Sequence, residues 1–127
     1  MDIKYNVSKI KSSKEEVIKD SVSVEEPLEM RLKYKKDGKS ETQNISITMR
    51  TPGNDEDLIR GFLFNERIIE NMNEIDSVQH IGDPVGDYNL HNTIEATINK
   101  TDNLDIGKLK RNFVTNSSCG VCGKTSL

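Results

Sequence analysis

The dipeptide Asp37-Gly38 constrains the fold of this 127-residue chain more than any other feature, because it lies between two stretches in which apolar and polar side chains alternate. Before this dipeptide, apolar side chains occupy every second position: Leu28, Met30, Leu32 and Tyr34. Such alternation is typical of a strand with one buried face. Asp-Gly favours a type I′ turn, because both central residues of that turn need a positive φ. The sequence therefore predicts a β-hairpin.

The register of this hairpin follows from the position of its turn. Counting outward from the turn places Met30 opposite Ile45 and Leu28 opposite Ile47. Opposed residues of an antiparallel pair share one face of the sheet. The turn and the apolar pattern therefore predict the same register.

A helix is predicted directly after the hairpin. Residues 51–53, Thr-Pro-Gly, end the second strand, and Asn54 is a favourable N-cap. The acidic residues 55–57 fill the first turn, where the helix dipole favours negative charge, and this position explains them fully. Gly61 costs roughly 1 kcal/mol relative to alanine, which predicts close packing against another backbone. The apolar face of the helix consists of Leu58, Ile59, Phe62, Leu63 and Ile69.

The rest of the chain reads as two strands and a short helix. Strands are predicted over residues 75–81 and 92–99, with a turn-rich loop at 82–87 between them. Asp105 can cap a helix whose apolar side chains are Ile106, Leu109 and Phe113. The order strands, helix, strands, helix predicts an α+β or α/β fold.

Composition and charge limit the partners of the chain. Residues 1–21 show no sustained period, which predicts a flexible arm ahead of one domain over residues 22–127. A net charge of −3 does not favour nucleic acid as a partner. No segment approaches the roughly 18 apolar residues that span a bilayer, and no signal-peptide pattern is present. We expect a cytoplasmic protein with no membrane partner, whose thiols stay reduced.

The reactive residues of the sequence are Cys119 and Cys122. A persulfide carrier needs a thiolate that attacks sulfane sulfur, and a loop with enough freedom to meet two partners. Gly120 and Gly123 supply that freedom and leave room for close backbone approach. A second thiol can take part in exchange with the first.

The neighbours of these cysteines suit thiolate chemistry. The hydroxyls of Ser117 and Ser118, the ammonium of Lys124 and nearby backbone N–H groups can stabilise a thiolate and lower its pKa. These neighbouring groups predict that the cysteines of the loop are nucleophilic.

The cysteine loop alone leaves other kinds of chemistry open. A thioredoxin-type dithiol opens a helix, whereas five residues follow Cys122 here. A zinc site needs two more ligands, and His80 and His91 are eleven apart and far upstream, which suits ordinary surface or core histidines better. A structural disulfide conflicts with a reducing compartment. Sulfur or redox chemistry is favoured over a metal site and over an inert pair.

Three segments in this order closely resemble the formate dehydrogenase accessory sulfurtransferases, the FdhD/NarQ family. They are residues 25–28 (Glu-Glu-Pro-Leu), residues 51–58 (Thr-Pro-Gly-Asn-Asp-Glu-Asp-Leu) running into 61–63 (Gly-Phe-Leu), and residues 115–124 (Thr-Asn-Ser-Ser-Cys-Gly-Val-Cys-Gly-Lys). The last segment is the most specific. The resemblance covers about residues 22–127.

The resemblance implies sulfur transfer in the maturation of formate dehydrogenase. Family members take persulfide sulfur from a cysteine desulfurase and deliver it to the molybdenum or tungsten bis-pterin guanine dinucleotide cofactor, which enters the apo-dehydrogenase. By resemblance, Cys119 is the persulfide carrier and Cys122 its partner thiol. The implied fold is a β-rich region followed by a three-layer, cytidine-deaminase-like α/β domain, and members form homodimers.

The resemblance also contains one departure. Family members continue well past the cysteine motif, and their cofactor pocket draws on that later part. The resemblance therefore implies an N-terminal portion with an incomplete core, which alone does not bind the cofactor tightly. We expect a sulfur carrier, and the alternative is a metal-binding or scaffolding module that docks on apo-dehydrogenase without sulfur chemistry.

Overall fold

The computed structural model describes residues 1–99, which contain six strands and one α-helix. No helix within this range is long and apolar enough to cross a bilayer. The described part is β-rich and of the α+β type. The cytidine-deaminase-like domain stays a prediction, and the helix expected after Asp105 lies outside the described residues. The elements are β1 (Asp2–Lys11), β2 (Lys14–Ser23), β3 (Glu26–Lys36), β4 (Lys39–Arg50), α1 (Asp55–Asn65), a 3₁₀ turn (Met72–Glu74), β5 (Ile75–His80) and β6 (Thr93–Ile98).

Four of the strands form a mixed sheet in the order β4-β3-β6-β5. β3 pairs antiparallel with β4 and parallel with β6, and β5 pairs antiparallel with β6. One face of this sheet packs against α1 through Ile59 and Leu63. The strand and loop residues of the same core are Leu28, Met30, Leu32, Tyr34, Ile45, Ile68, Ile69, Ile75, Ile94, Ala96 and Ile98. The two strands predicted over residues 75–81 and 92–99 are confirmed as β5 and β6.

The turn between β3 and β4 has the predicted chemistry. Asp37 has a φ of 53° and Gly38 a φ of 77°, so both central residues lie in the left-handed region that a type I′ turn requires. The hairpin is therefore confirmed.

The predicted register holds only in the half of this hairpin nearest the turn. From Lys36 opposite Lys39 to Arg31 opposite Asn44, the residues pair as counted from the turn. Between Met30 and Arg31 the register shifts, and Ile45 is left without an opposite residue. This extra residue in β4 is a β-bulge.

The pairings predicted beyond the bulge are wrong by one residue. Met30 faces Ser46 and Leu28 faces Thr48, whereas Ile47 faces Glu29. Glu29 and Ile47 are nevertheless both buried, on the face of the sheet opposite Leu28. The face opposite Leu28 is therefore buried at these two positions, whereas Arg31 and Lys33 further along β3 are half-buried on it.

The helix α1 begins where the sequence predicted and ends earlier. Ile59 and Leu63 are fully buried, Phe62 is half-buried, and Leu58 is exposed. Arg67 has a φ of 59°, a left-handed conformation that commonly ends a helix. Ile69 is therefore in the core but lies beyond the helix, because the chain turns before reaching it.

Gly61 has open space beside it within residues 1–99. A Cβ added at Gly61 would meet nothing within 4 Å in this part of the chain, so none of these residues supplies the predicted close packing against another backbone, which stays a prediction. We expect Gly61→Ala to stabilise the fold by about 0.5–1 kcal/mol, because alanine loses less backbone entropy in a helix. The matched substitution Gly38→Ala should destabilise it by about 1–2 kcal/mol, since Gly38 has a left-handed φ. Urea denaturation of both variants tests these signs, and a destabilising Gly61→Ala would contradict the open helix surface.

The segment predicted as a flexible arm contains regular structure. β1 and β2 form a hairpin around Ser12 and Ser13, whose φ angles are 51° and 62°. Its side chains are nearly all exposed, although Tyr5 interacts with Tyr88 in the loop before β6. The sequence did not predict these strands because lysine and serine interrupt the apolar alternation. The flexibility of the arm and the division of the chain at residue 21 stay predictions.

Candidate functional site: a buried arginine–aspartate–histidine cluster

The residues predicted to carry sulfur chemistry lie outside the described part of the chain. They are Ser117, Ser118, Cys119, Gly120, Cys122, Gly123 and Lys124. What the structure describes is a different polar group at one end of the sheet. We call Arg50, Asp55, His80 and Asn92 the Arg50 cluster.

The strand directions bring this cluster together. Arg50 is the last residue of β4, Asp55 the first of α1 and His80 the last of β5, while Asn92 directly precedes β6. Since β3 and β6 are parallel and each pairs antiparallel with an outer strand, the ends of β4 and β5 meet the starts of β3 and β6. The short turn at residues 51–54 then brings Asp55 back to the side chain of Arg50, the residue that precedes the turn.

Arg50 and Asp55 form a bidentate ion pair. Arg50 Nε donates to Asp55 Oδ1 at 2.8 Å, and Nη2 donates to Oδ2 at 3.0 Å. Only 5% of each side chain is exposed. A buried fork of two charge-assisted hydrogen bonds is geometrically specific, because both groups are planar.

The other guanidinium donors of Arg50 bind neighbouring segments. Nη1 donates to Asn92 Oδ1 at 2.9 Å and to the backbone oxygen of Glu26 at 3.2 Å, and Nη2 donates to that of His91 at 3.1 Å. Burying a charge is costly unless it is paired and hydrogen-bonded, and Arg50 meets both conditions. One side chain therefore ties the starts of β3 and β6 to the start of α1.

His80 links this buried pair to solvent. Its Nε2 lies 2.8 Å from Asp55 Oδ2, and 39% of its side chain is exposed. It lines an open cleft of about 400 Å³ together with Glu56 and Asp57. The carboxylate orients the imidazole so that its other nitrogen points away from Asp55.

His91 lies beside His80 without completing a metal site. The two ring centroids are 5.9 Å apart, and His91 Nδ1 lies 3.1 Å from the backbone oxygen of Gly82. Within residues 1–99, no group of three or more histidine, cysteine, aspartate or glutamate side chains is placed to hold a metal ion. The sequence had interpreted both histidines as ordinary, whereas His80 is bound to a buried carboxylate.

Asp55 also corrects the interpretation of the acidic run. The sequence analysis explained residues 55–57 fully by their position at the helix start, but the Asp55 side chain is buried and is hydrogen-bonded to Arg50 and His80. Asn54 occupies the N-cap position and its side chain makes no capping hydrogen bond. The signal that could have found the pair is a pair of opposite charges, Arg50 and Asp55, on either side of a Thr-Pro-Gly turn.

The surroundings of Asp55 lower the pKa of its carboxyl group. Burial raises this pKa, but hydrogen bonds from Arg50 and His80 and their positive charge outweigh burial. A carboxyl group with a lowered pKa in the folded state stabilises the fold above its unfolded pKa of about 3.9. This stabilisation is lost as the pH falls through the folded pKa.

A pH dependence follows for the variant Asp55→Asn. The difference in unfolding free energy between the wild-type chain and Asp55→Asn should be largest near neutral pH and should shrink at acid pH. Urea denaturation of both proteins across a pH series measures that difference. The matched control is Asp57→Asn, since Asp57 is exposed. A difference for Asp55→Asn that does not change with pH would contradict the lowered pKa.

Comparison with known proteins places both groups of residues in one family. The model of the FdhD/NarQ family matches residues 23–127, a range that includes the Arg50 cluster and the cysteine loop. This chain belongs to the FdhD/NarQ family. The match confirms the resemblance drawn from the three sequence segments.

The relatives of this FdhD/NarQ chain named below share one name. This chain is 38% identical over 124 residues to the sulfur carrier protein FdhD of Sulfurisphaera tokodaii, and the match covers 98% of this chain and 42% of the relative. It is 35% identical over 113 residues to that of Corynebacterium efficiens, covering 85% and 38%. For Mycolicibacterium paratuberculosis the identity is 40% over 113 residues, covering 85% and 37%. The chain thus spans about two-fifths of the length of these relatives, and no solved structure matches it.

Proposed function

We propose that this FdhD/NarQ chain takes part in sulfur carriage for the maturation of formate dehydrogenase, with Cys119 as the persulfide acceptor and Cys122 as the partner thiol. The observation that carries the proposal is the family match, which extends through both cysteines. The name shared by the relatives, sulfur carrier protein FdhD, supports it.

The chemistry at Cys119 needs no external oxidant. Its thiolate attacks the outer sulfur of a persulfide on a cysteine desulfurase. The sulfur–sulfur bond of the donor breaks, the donor cysteine leaves as a thiolate, and Cys119 becomes the persulfide. Attack by Cys122 on the outer sulfur moves that sulfur to Cys122 and regenerates the Cys119 thiolate. Release of sulfur to the acceptor as sulfide balances when the Cys122 thiolate attacks the inner sulfur of the Cys119 persulfide: the sulfur–sulfur bond of the persulfide breaks, sulfide leaves, and a Cys119–Cys122 disulfide forms, which a thiol reductant returns to two thiols.

The proposed acceptor is the molybdenum or tungsten bis-pterin guanine dinucleotide cofactor, which then enters apo-formate dehydrogenase. That this chain alone does not bind the cofactor tightly stays a prediction, as do a homodimeric state and a cytoplasmic location. Titration with GDP, which stands for the nucleotide half of the cofactor, tests the first of these. Saturable micromolar binding would contradict it.

The cysteine assignment predicts different outcomes for two matched variants. After incubation with a cysteine desulfurase and cysteine, intact-mass analysis of the wild-type chain should show added sulfur. Cys119→Ala should abolish this adduct, and Cys122→Ala should retain at least part of it, because the seryl hydroxyls and loop amides favour the Cys119 thiolate. A wild-type level of adduct on Cys119→Ala would contradict the assignment. Stoichiometric zinc held by both thiols, with no adduct, would favour the metal-binding alternative.

A further inference from the structure

A cavity of about 280 Å³ opens where β6 ends beside β3. β3 continues to Lys36, but its pairing with β6 stops at Lys33 opposite Thr97. Asn99, which follows β6, is held against the segment before β5, because its N–H donates to the backbone oxygen of Glu74 at 2.9 Å. A gap is therefore left next to the last residues of β3.

The walls of this cavity carry more positive than negative charge. Lys33 and Lys35 line it, and neither forms an ion pair within residues 1–99. Both lie on the same face of β3, with their Cα atoms about 7 Å apart. Among the described residues Asp76 is the only carboxylate in the lining, and its Oδ1 already accepts a hydrogen bond from Asn99 Nδ2 at 2.9 Å. The cavity therefore attracts anions.

Tyr34 brings a buried hydroxyl to the same cavity. Only 7% of Tyr34 is exposed, and its hydroxyl has no hydrogen-bond partner within residues 1–99. Buried polar groups normally have a partner, and leaving one without a partner is unfavourable. Burial raises the pKa of Tyr34, and the negative charge of Glu41 raises it further, so the hydroxyl keeps its proton at neutral pH. It can therefore donate to an acceptor in the cavity.

The backbone of β3 adds a further donor. Glu29 N–H donates to the backbone oxygen of Asn92 at 2.8 Å, so Glu29 turns its backbone groups toward β6. Every second residue of the strand does the same, and Lys35 is the first of them beyond the last pair with β6. Its N–H therefore points toward the gap. The hydroxyls of Ser40 and Thr97 lie in the same walls.

We propose that this cavity binds a phosphate group. Every oxygen of a phosphate accepts hydrogen bonds, which matches a lining of two ammonium groups, three hydroxyls and one free backbone N–H. The volume is close to the lower limit of small-molecule pockets, roughly 300 Å³, so the ligand is small. Free phosphate and a small phosphate monoester share this chemistry, and in the second case the organic group would lie against Ile98. The proposal is independent of sulfur carriage.

Titration of the isotope-labelled 127-residue chain with inorganic phosphate, followed by NMR at constant ionic strength, tests the site. The amide resonances of Lys35 and Thr97 should shift until they saturate, whereas that of Lys14 in the β1–β2 hairpin should not move. Phenyl phosphate is the second probe: binding at least tenfold tighter than that of inorganic phosphate assigns the site to a monoester, and equal or weaker binding assigns it to free phosphate. Shifts that never saturate with either probe, or that are as large at Lys14, overturn the proposal.

Two variants test the donors one at a time. Lys33→Met and Tyr34→Phe should each weaken phosphate binding about tenfold, because each removes a hydrogen bond to a charged group. Lys36→Met is the matched control, since Lys36 is exposed on the same strand outside the cavity, and it should change binding less than twofold.

Folding is checked separately from binding in these variants. Tyr34→Phe should keep the urea midpoint of the wild type, because its hydroxyl has no partner to lose within residues 1–99. Weaker phosphate binding by this variant is then a loss of the site and not of the fold. Wild-type binding by Lys33→Met and Tyr34→Phe, or an equal loss in Lys36→Met, overturns the proposal.

Discussion

Replacing Arg50 with methionine should lower the free energy of unfolding by about 3–5 kcal/mol, the range found when one partner of a buried ion pair is removed. The side chain of Asp55 is 5% exposed and would lose a bidentate partner. The backbone oxygens of Glu26 and His91 would lose their donor as well. Urea denaturation near neutral pH measures the effect.

A variant that lacks both charges distinguishes the cost of leaving Asp55 unpaired from the cost of losing the ion pair itself. Arg50→Met combined with Asp55→Leu should be more stable than Arg50→Met alone, because no uncompensated carboxylate stays buried. The control is Lys35→Met. Lys35 is an exposed cation on β3, so this substitution should change the free energy of unfolding by no more than about 0.5 kcal/mol. A cost for Arg50→Met as small as that of Lys35→Met would show that the cluster does not stabilise the fold.

Leu63→Ala should destabilise the domain by about 2–5 kcal/mol, since Leu63 is fully buried between α1 and the sheet. The next residue supplies the control: Phe64 is 49% exposed, and Phe64→Ala should cost less than about 1 kcal/mol. Phe62 is half-buried, so its truncation should fall between the two. Thermal and urea melts of the three variants give the order, and equal costs at Leu63 and Phe64 would mean that α1 is buried on two sides.

Local chemistry explains which parts of the fold the sequence predicted. Asp37 and Gly38 form a turn because of their own backbone preferences, so the hairpin could be predicted from neighbours alone. The start of α1 follows from a turn and acidic residues next to each other. The end of α1 could not be predicted in the same way, because Ile69 continues the apolar pattern beyond the turn made by Arg67.

The two candidate sites differ for the same reason. Cys119 and Cys122 stand out in the sequence because their chemistry and their glycine neighbours are contiguous. The Arg50 cluster is assembled by sheet order, which brings His80 from β5 to a carboxylate that is distant in sequence. From the sequence alone Asp55 has the pattern of an ordinary helix-start residue, because its partners are brought to it by the positions of β4 and β5 in the sheet.

The extra residue at Ile45 gives strand β4 a length requirement that is separate from its composition. Because of it, Arg50 lies opposite Glu26 and shares the face of Leu28, the side on which α1 lies. Removing one residue there would exchange the two faces for everything that follows, and would turn the guanidinium away from Asp55. The half near the turn would keep its pairing. Substitutions in this stretch change a side chain, whereas a one-residue deletion would disconnect the strand from the helix that follows it.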